Sequence, residues 1–328
     1  MQGGERYNSI SNYLIDYFGK KTIKIPIDAG FTCPNRDGSL SKLGCTFCSS
    51  DGSGELASHV DAKNFSELKK QITESISNQI DIMSKKWQNA VYLGYLQSHT
   101  NTYSDTGTLY NIYHAILDEP RISGLVIATR PDCLGIDENG ESEILNLLED
   151  INKDNFLWVE LGLQTGNDKI LKELNTCYTS SDYAKASKEL KRRNIRFVTH
   201  LILGLPHETK DDMLSSLDYV CNRCEKPFGI KLHLMNLIKN SPLAMKNGAI
   251  DPDNIGEYLP YFKTIDEYTD FVVDMLELIP TDITIHRLTG DVPRKLLISP
   301  KWSYKKRTIL NSINRKLKER DTYQGRLA

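Results

Sequence analysis

Ile23-Lys-Ile-Pro-Ile27, running into Asp28-Ala-Gly-Phe-Thr-Cys33-Pro-Asn-Arg-Asp-Gly38, is the stretch on which the reading of this chain turns. A short β-rich apolar run gives way to a glycine-containing loop, and the loop ends in Gly44-Cys45-Thr-Phe-Cys48. Moving outward, comparable runs recur at Val91 to Leu96, Leu125 to Ala128, Leu157 to Leu163, Phe197 to Leu203 and Ile230 to Leu237, which makes six strand candidates. Amphipathic stretches lie between them, such as Phe65 to Met83, Glu141 to Leu148, Asp182 to Arg193 and Asp211 to Cys221. Strand-then-helix alternation predicts a parallel sheet with helices on its outer face. Near-continuous apolar strands predict a sheet covered on both sides. Thr209 with Asp212 reads as a capping pair that opens the helix after strand five.

Six units fall short of a full eight-unit barrel, which takes about 250 residues, and the chain after Leu237 does not repeat cleanly. The expected fold is therefore α/β: a partial (β/α)6 TIM-type barrel with a C-terminal basic extension. Residues 1–20 would form an N-terminal extension, 21–240 the barrel and 241–328 a segment facing the substrate. With 39% hydrophobic and 26% charged residues and a net charge of −2, the composition of this 328-residue chain excludes disordered and membrane classes. No apolar run approaches the roughly 20 residues of a membrane helix. The start Met-Gln-Gly-Gly-Glu-Arg-Tyr lacks the apolar core of a signal peptide, so a cytoplasmic protein is expected.

Charge is unevenly spread. From His286 to Ala328 twelve Lys or Arg face three Asp or Glu, a net +9 that leaves −11 for the rest of the chain. A basic face on an otherwise acidic protein is the expected footprint of a polyanion partner. A solvated surface helix over Tyr304 to Arg320 accounts for the same charge.

Seven cysteines without a secretion signal read as metal ligands, reactive thiols or small core residues rather than a disulfide framework. Cys33, Cys45 and Cys48 follow the first strand directly, at the strand end where barrel enzymes gather their ligands. Thiolates favour zinc or iron–sulfur clusters. A 4Fe-4S cube ordinarily takes four cysteines, so three leave one iron for a chelating cofactor, and the amino-carboxylate of S-adenosylmethionine (SAM) suits that iron. Spacing alone leaves open a Cys₃His zinc site with His59 or His99 as fourth ligand. Cys221 and Cys224 form a second CxxC on a helical pattern without companion ligands, and Cys133 and Cys177 are isolated.

Several segments resemble the radical SAM superfamily, its Elongator-catalytic-subunit-like members and most closely the YhcC/YtqA branch of bacterial proteins. They are Ile27 to Gly38, Thr129-Arg-Pro-Asp132, Glu160-Leu-Gly-Leu-Gln-Thr165, Thr199-His-Leu-Ile-Leu-Gly-Leu-Pro206 and His286-Arg-Leu-Thr-Gly-Asp-Val-Pro-Arg294. The resemblance implies a 4Fe-4S cluster on Cys33, Cys45 and Cys48, and SAM near Gln97, Thr129, Arg130, Glu160, Gln164 and His200. It implies a reaction in which SAM is cleaved to a 5′-deoxyadenosyl radical, with a one-electron donor such as flavodoxin or ferredoxin. It further implies the wobble uridine of tRNA as substrate, with a carboxymethylaminomethyl side chain remodelled toward aminomethyl and a downstream methyltransferase as a possible partner.

In the basic segment, Arg287, Arg294, Lys305, Lys306 and Arg307 would grip phosphates, while Trp302 or Tyr304 stacks on an unpaired base. For Trp302, packing of the tail onto the barrel competes with that role. Two departures from the family pattern stand out. Asn175-Thr-Cys-Tyr178 replaces Asn-Arg-Gly-His, so Lys172 or Arg196, or iron and backbone donors, must meet the SAM carboxylate. His207 replaces the glycine of Gly-Leu-Pro-Gly. The alternatives to a tRNA enzyme are a radical SAM enzyme acting on a small molecule and a non-catalytic metal-containing RNA-binding module.

Overall fold

The computed structural model describes residues 5–49, 52, 58–59 and 65–328, with only the backbone of Ser58, His59 and Phe65. Helix α1 (Ile10–Phe18) leads into β1 (Thr22–Asp28) and the two-residue β2 (Ser58–His59). There follow α2 (Phe65–Ser84), β3 (Val91–Leu96), α3 (Thr106–Leu117), β4 (Ile122–Thr129), α4 (Glu143–Asp154) and β5 (Phe156–Gln164). Next come α5 (Asp168–Glu173), α6 (Ser180–Arg192), β6 (Arg196–Leu203), α7 (Lys210–Asp218) and β7 (Gly229–Leu234). The remainder is β8 (Leu237–Ile238), α8 (Pro242–Lys246), α9 (Ile265–Leu278), β9 (Thr284–Arg287), β10 (Leu297–Ser299) and α10 (Lys306–Glu319).

Eight strands pair in the order β2-β1-β3-β4-β5-β6-β7-β9, all parallel. This is the partial TIM-type barrel that the strand-then-helix alternation predicts. The sheet runs further than the six expected strands, because β9 pairs with β7 and adds a strand from the segment read as a tail. That strand is four residues long and interrupted by polar side chains, so its apolar signal is weak.

Side chains alternate across each strand, as period two requires. Leu157, Val159 and Leu161 of β5, Ile230 and Leu232 of β7 and Ile25 and Ile27 of β1 face outward into the main core beneath the helices. Inward-facing Leu93, Val126, Phe156, Trp158 and Val198 form a second cluster with Leu14 of α1, which plugs the amino end of the barrel. One layer further toward the carboxyl ends, the inward positions turn polar: Lys24, Tyr95, Glu160, His200 and Lys231. That change of chemistry within one barrel marks where the site begins.

Helix ends carry the signals expected of them. Thr209 and Asp212 form a capping box at α7, and Thr264 with Glu267 does the same at α9. Helix α10 packs on α9, where Lys316 pairs with Asp266 and Asp270 (2.9 and 2.7 Å) and Arg320 with Asp270 and Asp274 (2.6 and 2.7 Å). Much of the basic segment's charge is therefore met inside the protein. Among the described residues no helix is long and apolar enough to cross a membrane.

Candidate active site

The loop after β1 folds back on itself through its own backbone. The Cys33 carbonyl accepts from the Arg36 and Asp37 amides, Gly44 N–H donates to Asn35 O (2.8 Å), and Cys48 N–H donates to Cys45 O (3.0 Å). Fully buried Asn35 ties the loop down, its Nδ2 donating to Asn175 O and reaching Cys45 Sγ at 3.4 Å. Cys33, Cys45 and Cys48 thereby line one cavity of about 270 Å³ at the carboxyl ends of the strands. Burial first, and the neighbouring Cys48 second, push the Cys45 thiol up to about 12. Cysteine binds iron as the thiolate, and a cationic metal supplies the charge that stabilises it. That donor set fits a 4Fe-4S cluster held by Cys33, Cys45 and Cys48.

Gln97, Thr129, Arg130, Glu160, Gln164 and His200 all line the same cavity. Arg130 is held by both oxygens of Asp132 (2.9 and 2.7 Å) and stacks over Tyr178, with Nη1 4.0 Å from Cys33 Sγ. Thr129 Oγ1 is 2.6 Å from Thr102 Oγ1. Gln164 ends β5 with φ of 70°, in the left-handed region. His99 also lines the cavity, packed so tightly under Gly52 that a Cβ there would lie 2.4 Å from Nδ1. The side chain of His59 lies outside the described residues.

Glu160 is the electrostatic centre of the floor. Its side chain is fully buried, and it accepts from Tyr95 OH (2.7 Å), Trp158 Nε1 (3.2 Å), Lys24 Nζ (3.3 Å) and Lys231 Nζ. Burial alone would raise this carboxyl, but Lys231 and then Lys24 hold it well below the usual carboxylate range. His200 Nε2 lies 3.2 Å from Glu160 Oε2, off the line of a hydrogen bond. Burial, then Lys231, pushes the His200 imidazole down to about 4, so it is neutral at working pH.

The cations proposed from sequence to meet a SAM carboxylate lie elsewhere. Arg196 starts β6 at the amino end of the sheet, its guanidinium 4.8 Å from the Phe156 ring centre. Lys172 is exposed on α5, away from the cavity wall. Thr176 is buried, its hydroxyl donating to Leu171 O and Tyr178 O. Cys177 and His207, where the chain departs from the family pattern, both carry a φ of 63°, and Asn175, which matches it, carries 56°. These are positions that favour glycine, occupied here by side chains.

Of the residues singled out in the basic segment, Arg287 enters the cavity from β9. Lys306 reaches the rim, 2.8 Å from Asp291, which itself lines the cavity. Arg294 stacks over Tyr304 (4.6 Å), and Lys305 and Arg307 are exposed beside it. Trp302 does not line the cavity; its Nε1 donates to Lys263 O (2.9 Å) and its ring packs against Tyr268. Cys221 is buried in the outer core and Cys224 packs against it, both away from the cavity. Cys177 Sγ lies 3.1 Å from Asn35 Oδ1, just outside the cysteine loop.

Sequence reasoning passed over Lys24, Tyr95, Lys231, His233 and Asn236. The signal was available in Gly229-Ile-Lys-Leu-His-Leu234, whose strict alternation puts Lys231 and His233 on one face.

A cysteine-lined cavity at the mouth of a partial parallel barrel defines a class, and the comparisons agree with it. The model of the Radical SAM superfamily matches residues 38–220 and that of the Radical_SAM C-terminal domain matches residues 227–319. The chain belongs to the radical SAM superfamily, whose enzymes use a 4Fe-4S cluster and SAM, and these are its cofactors. It is 35% identical over 324 residues to YtqA of Bacillus subtilis (strain 168), covering 98% of this chain and 92% of that protein. It is 29% identical over 320 residues to YhcC of Escherichia coli (strain K12), covering 97% and 94%. Among solved structures, Elp3 of Methanocaldococcus infernus superposes with a TM-score of 0.61 at 16% identity, over 90% of this chain and 63% of that one. At that identity the likeness is one of fold.

Proposed function

We propose that this enzyme acts on the wobble uridine of tRNA, remodelling a carboxymethylaminomethyl side chain toward aminomethyl. The observation that carries the reading is the charge around the mouth. Among the described residues Arg294, Lys295, Lys305 and Arg307 have no carboxylate partner, whereas Lys316 and Arg320 further along are neutralised by α9. Lys306 ties this basic group to Asp291 on the cavity rim. A polyanion gripped there would present one unstacked base to the cavity.

Held by Cys33, Cys45 and Cys48, a 4Fe-4S cluster with SAM would supply one-electron cleavage of the sulfonium, releasing methionine, and abstraction of a substrate hydrogen. The chain's own part is positioning. Cys33, Cys45 and Cys48 hold the cluster, and Arg130, beside Cys33, is placed to meet the SAM carboxylate that Lys172 and Arg196 cannot reach. The apolar plug beneath Glu160 closes the barrel from below, which confines the reaction to the mouth. A flavodoxin or ferredoxin is the proposed electron donor, and a methyltransferase acting on the exposed aminomethyl group is the proposed next partner.

The test is to compare modified tRNA nucleosides from cells with and without the protein, and to repeat the conversion with reconstituted enzyme under reducing, anaerobic conditions. Carboxymethylaminomethyluridine should accumulate in its absence and be consumed in its presence. Intact SAM cleavage with unchanged nucleosides would move the substrate to a small molecule. Loss of four-iron absorbance and of 5′-deoxyadenosine together in Cys33→Ala, with the fold retained, is expected.

A further inference from the structure

The wall opposite the cysteine loop carries chemistry that neither cluster nor SAM accounts for. In the sheet, His200 of β6 stands beside Lys231 of β7, and Lys231 beside Arg287 of β9, in direct register. Adjacent parallel strands lie about 4.8 Å apart, so two basic side chains share one inward face. Like charges so placed repel and persist only where something compensates them. Among the described residues the carboxylate that meets Lys231 is Glu160, and Lys24 already shares it.

Arg287 is the more telling of the pair. Its side chain is 24% exposed, its nearest carboxylate is Asp291 at 3.6 Å, and that carboxylate is shared with Lys306 at 2.8 Å. Among the described residues the guanidinium makes no hydrogen bond. Five forked donors at the cavity wall, hydrogen-bonded to nothing among the described residues and facing only a carboxylate 3.6 Å away that Lys306 shares, suit an anion, and bidentate pairing with a carboxylate is what that fork fits. Two further groups beside it lack partners: His233 Nε2, two residues beyond Lys231 on the same face, and Asn236 Oδ1. Asn236 is set directly against Gly290, where a Cβ would lie 2.0 Å from Nδ2, so any side chain at position 290 would displace it. Both Asn236 and Gly290 line the cavity.

We propose that Arg287, with Lys231 and His233 beside it, binds a carboxylate on the group that enters the barrel, and that Asn236 Oδ1 accepts from an N–H next to that carboxylate. This deepens the tRNA reading and rests on it: a carboxymethylamino group carries both features. The same chemistry is present in the amino-carboxylate of SAM. That group must stay at the iron, however, on the side of Cys33 and Arg130, so the β7–β9 wall takes the substrate's carboxylate.

Arg287→Gln and the rescue variant Arg287→Lys separate these sources. Holoenzyme would be titrated with tRNA bearing carboxymethylaminomethyluridine, with the same tRNA bearing aminomethyluridine, and with SAM. Wild type should favour the carboxylate-bearing tRNA by about tenfold or more, the worth of a charged hydrogen bond. Arg287→Gln should erase that preference, Arg287→Lys should restore part of it, and SAM affinity should move less than threefold. A preference that survives Arg287→Gln overturns the proposal. So does a loss of SAM affinity that matches the loss of tRNA preference, since the wall would then hold the SAM carboxylate. A parallel thermal-shift titration with N-methylglycine tells failure of the wall from failure of the tRNA reading. If wild type shows no tRNA preference yet is stabilised by N-methylglycine, and Arg287→Gln is not, the anion site stands and the tRNA substrate falls. If neither probe distinguishes wild type from Arg287→Gln, the anion site falls.

Discussion

Two groups of cations in this chain are treated in opposite ways. On α10, Lys316 and Arg320 find three carboxylates on α9, spaced four residues apart at Asp266, Asp270 and Asp274. Inside the barrel, Lys24 and Lys231 share Glu160 and Arg287 faces Asp291 at 3.6 Å, with no comparable set of carboxylates among the described residues. The first arrangement is complete without a ligand and serves to fasten the last helix. The second leaves positive charge directed into a cavity, which costs stability in the free protein and is repaid when an anion arrives. Net charge along the sequence points to the first group, whereas the second is the one shaped to recognise something.

The largest effect should come from removing the one carboxylate that holds the interior together. Glu160→Gln keeps the shape and some hydrogen bonds but leaves Lys231 and Lys24 without a counter-charge, and breaking a buried pair from one side costs about 3–5 kcal/mol. Urea denaturation at neutral pH reads this directly. A loss below about 1 kcal/mol would mean that the lysines are already largely neutral, and the contrast between the two regions would dissolve. The same variant should lower tRNA conversion, because the floor that orients Lys231 and Tyr95 is lost.

A second buried glutamate sharpens the contrast by lacking cations. Glu208 accepts from the Gly204 and Leu205 amides (3.2 and 3.1 Å), and burial outweighs these donors, raising its carboxyl to about 7. Its folded value therefore lies above the ordinary 4.5, so the folded state holds the proton more tightly than the unfolded chain does. The contribution is fully present below about pH 4.5 and fades as pH rises through 7, by on the order of 3 kcal/mol. Glu208→Gln should remove that dependence. Stability relative to wild type should be greater at pH 8 than at pH 5, as followed by urea melts at the two pH values. An unchanged difference would show that the amide donors outweigh burial.

How much of this was legible beforehand follows from the range of the interactions concerned. The parallel barrel could be read because outward-facing positions such as Ile25, Val159 and Ile230 make each strand apolar over a few residues. The cysteine loop could be read because its three thiols lie within sixteen residues of one another. The charged layer inside the barrel was hidden: Lys24, Glu160 and Lys231 are far apart in sequence, and each is a single polar residue within an apolar run. The neutralisation of α10 was hidden for the same reason, since its carboxylates come some fifty residues earlier on a helix whose apolar face faces the core. Counting charge segment by segment overstated the basic surface, and only the packing of α9 on α10 corrects it.

The smallest effect should appear on that helix pair. Asp270 accepts from both Lys316 and Arg320, and Lys316 is nearly enclosed, with 8% of its side chain exposed. Asp270→Asn should cost about 1 kcal/mol at low salt, the upper range for a partly exposed ionic network. The cost should shrink in 1 M salt, where charges more than about 3 Å apart are screened. The pair Arg315–Glu319, at 3.6 Å and well exposed, provides the baseline, and Arg315→Ala should change stability by less than about 0.5 kcal/mol. Asp270→Asn removes one negative charge and leaves Lys316 and Arg320 with one carboxylate each, so tRNA affinity should hold or rise slightly even as stability falls. A fall in tRNA affinity with no loss of stability would place α10 itself in the recognition surface and break the division between a fastening set of cations and a binding one.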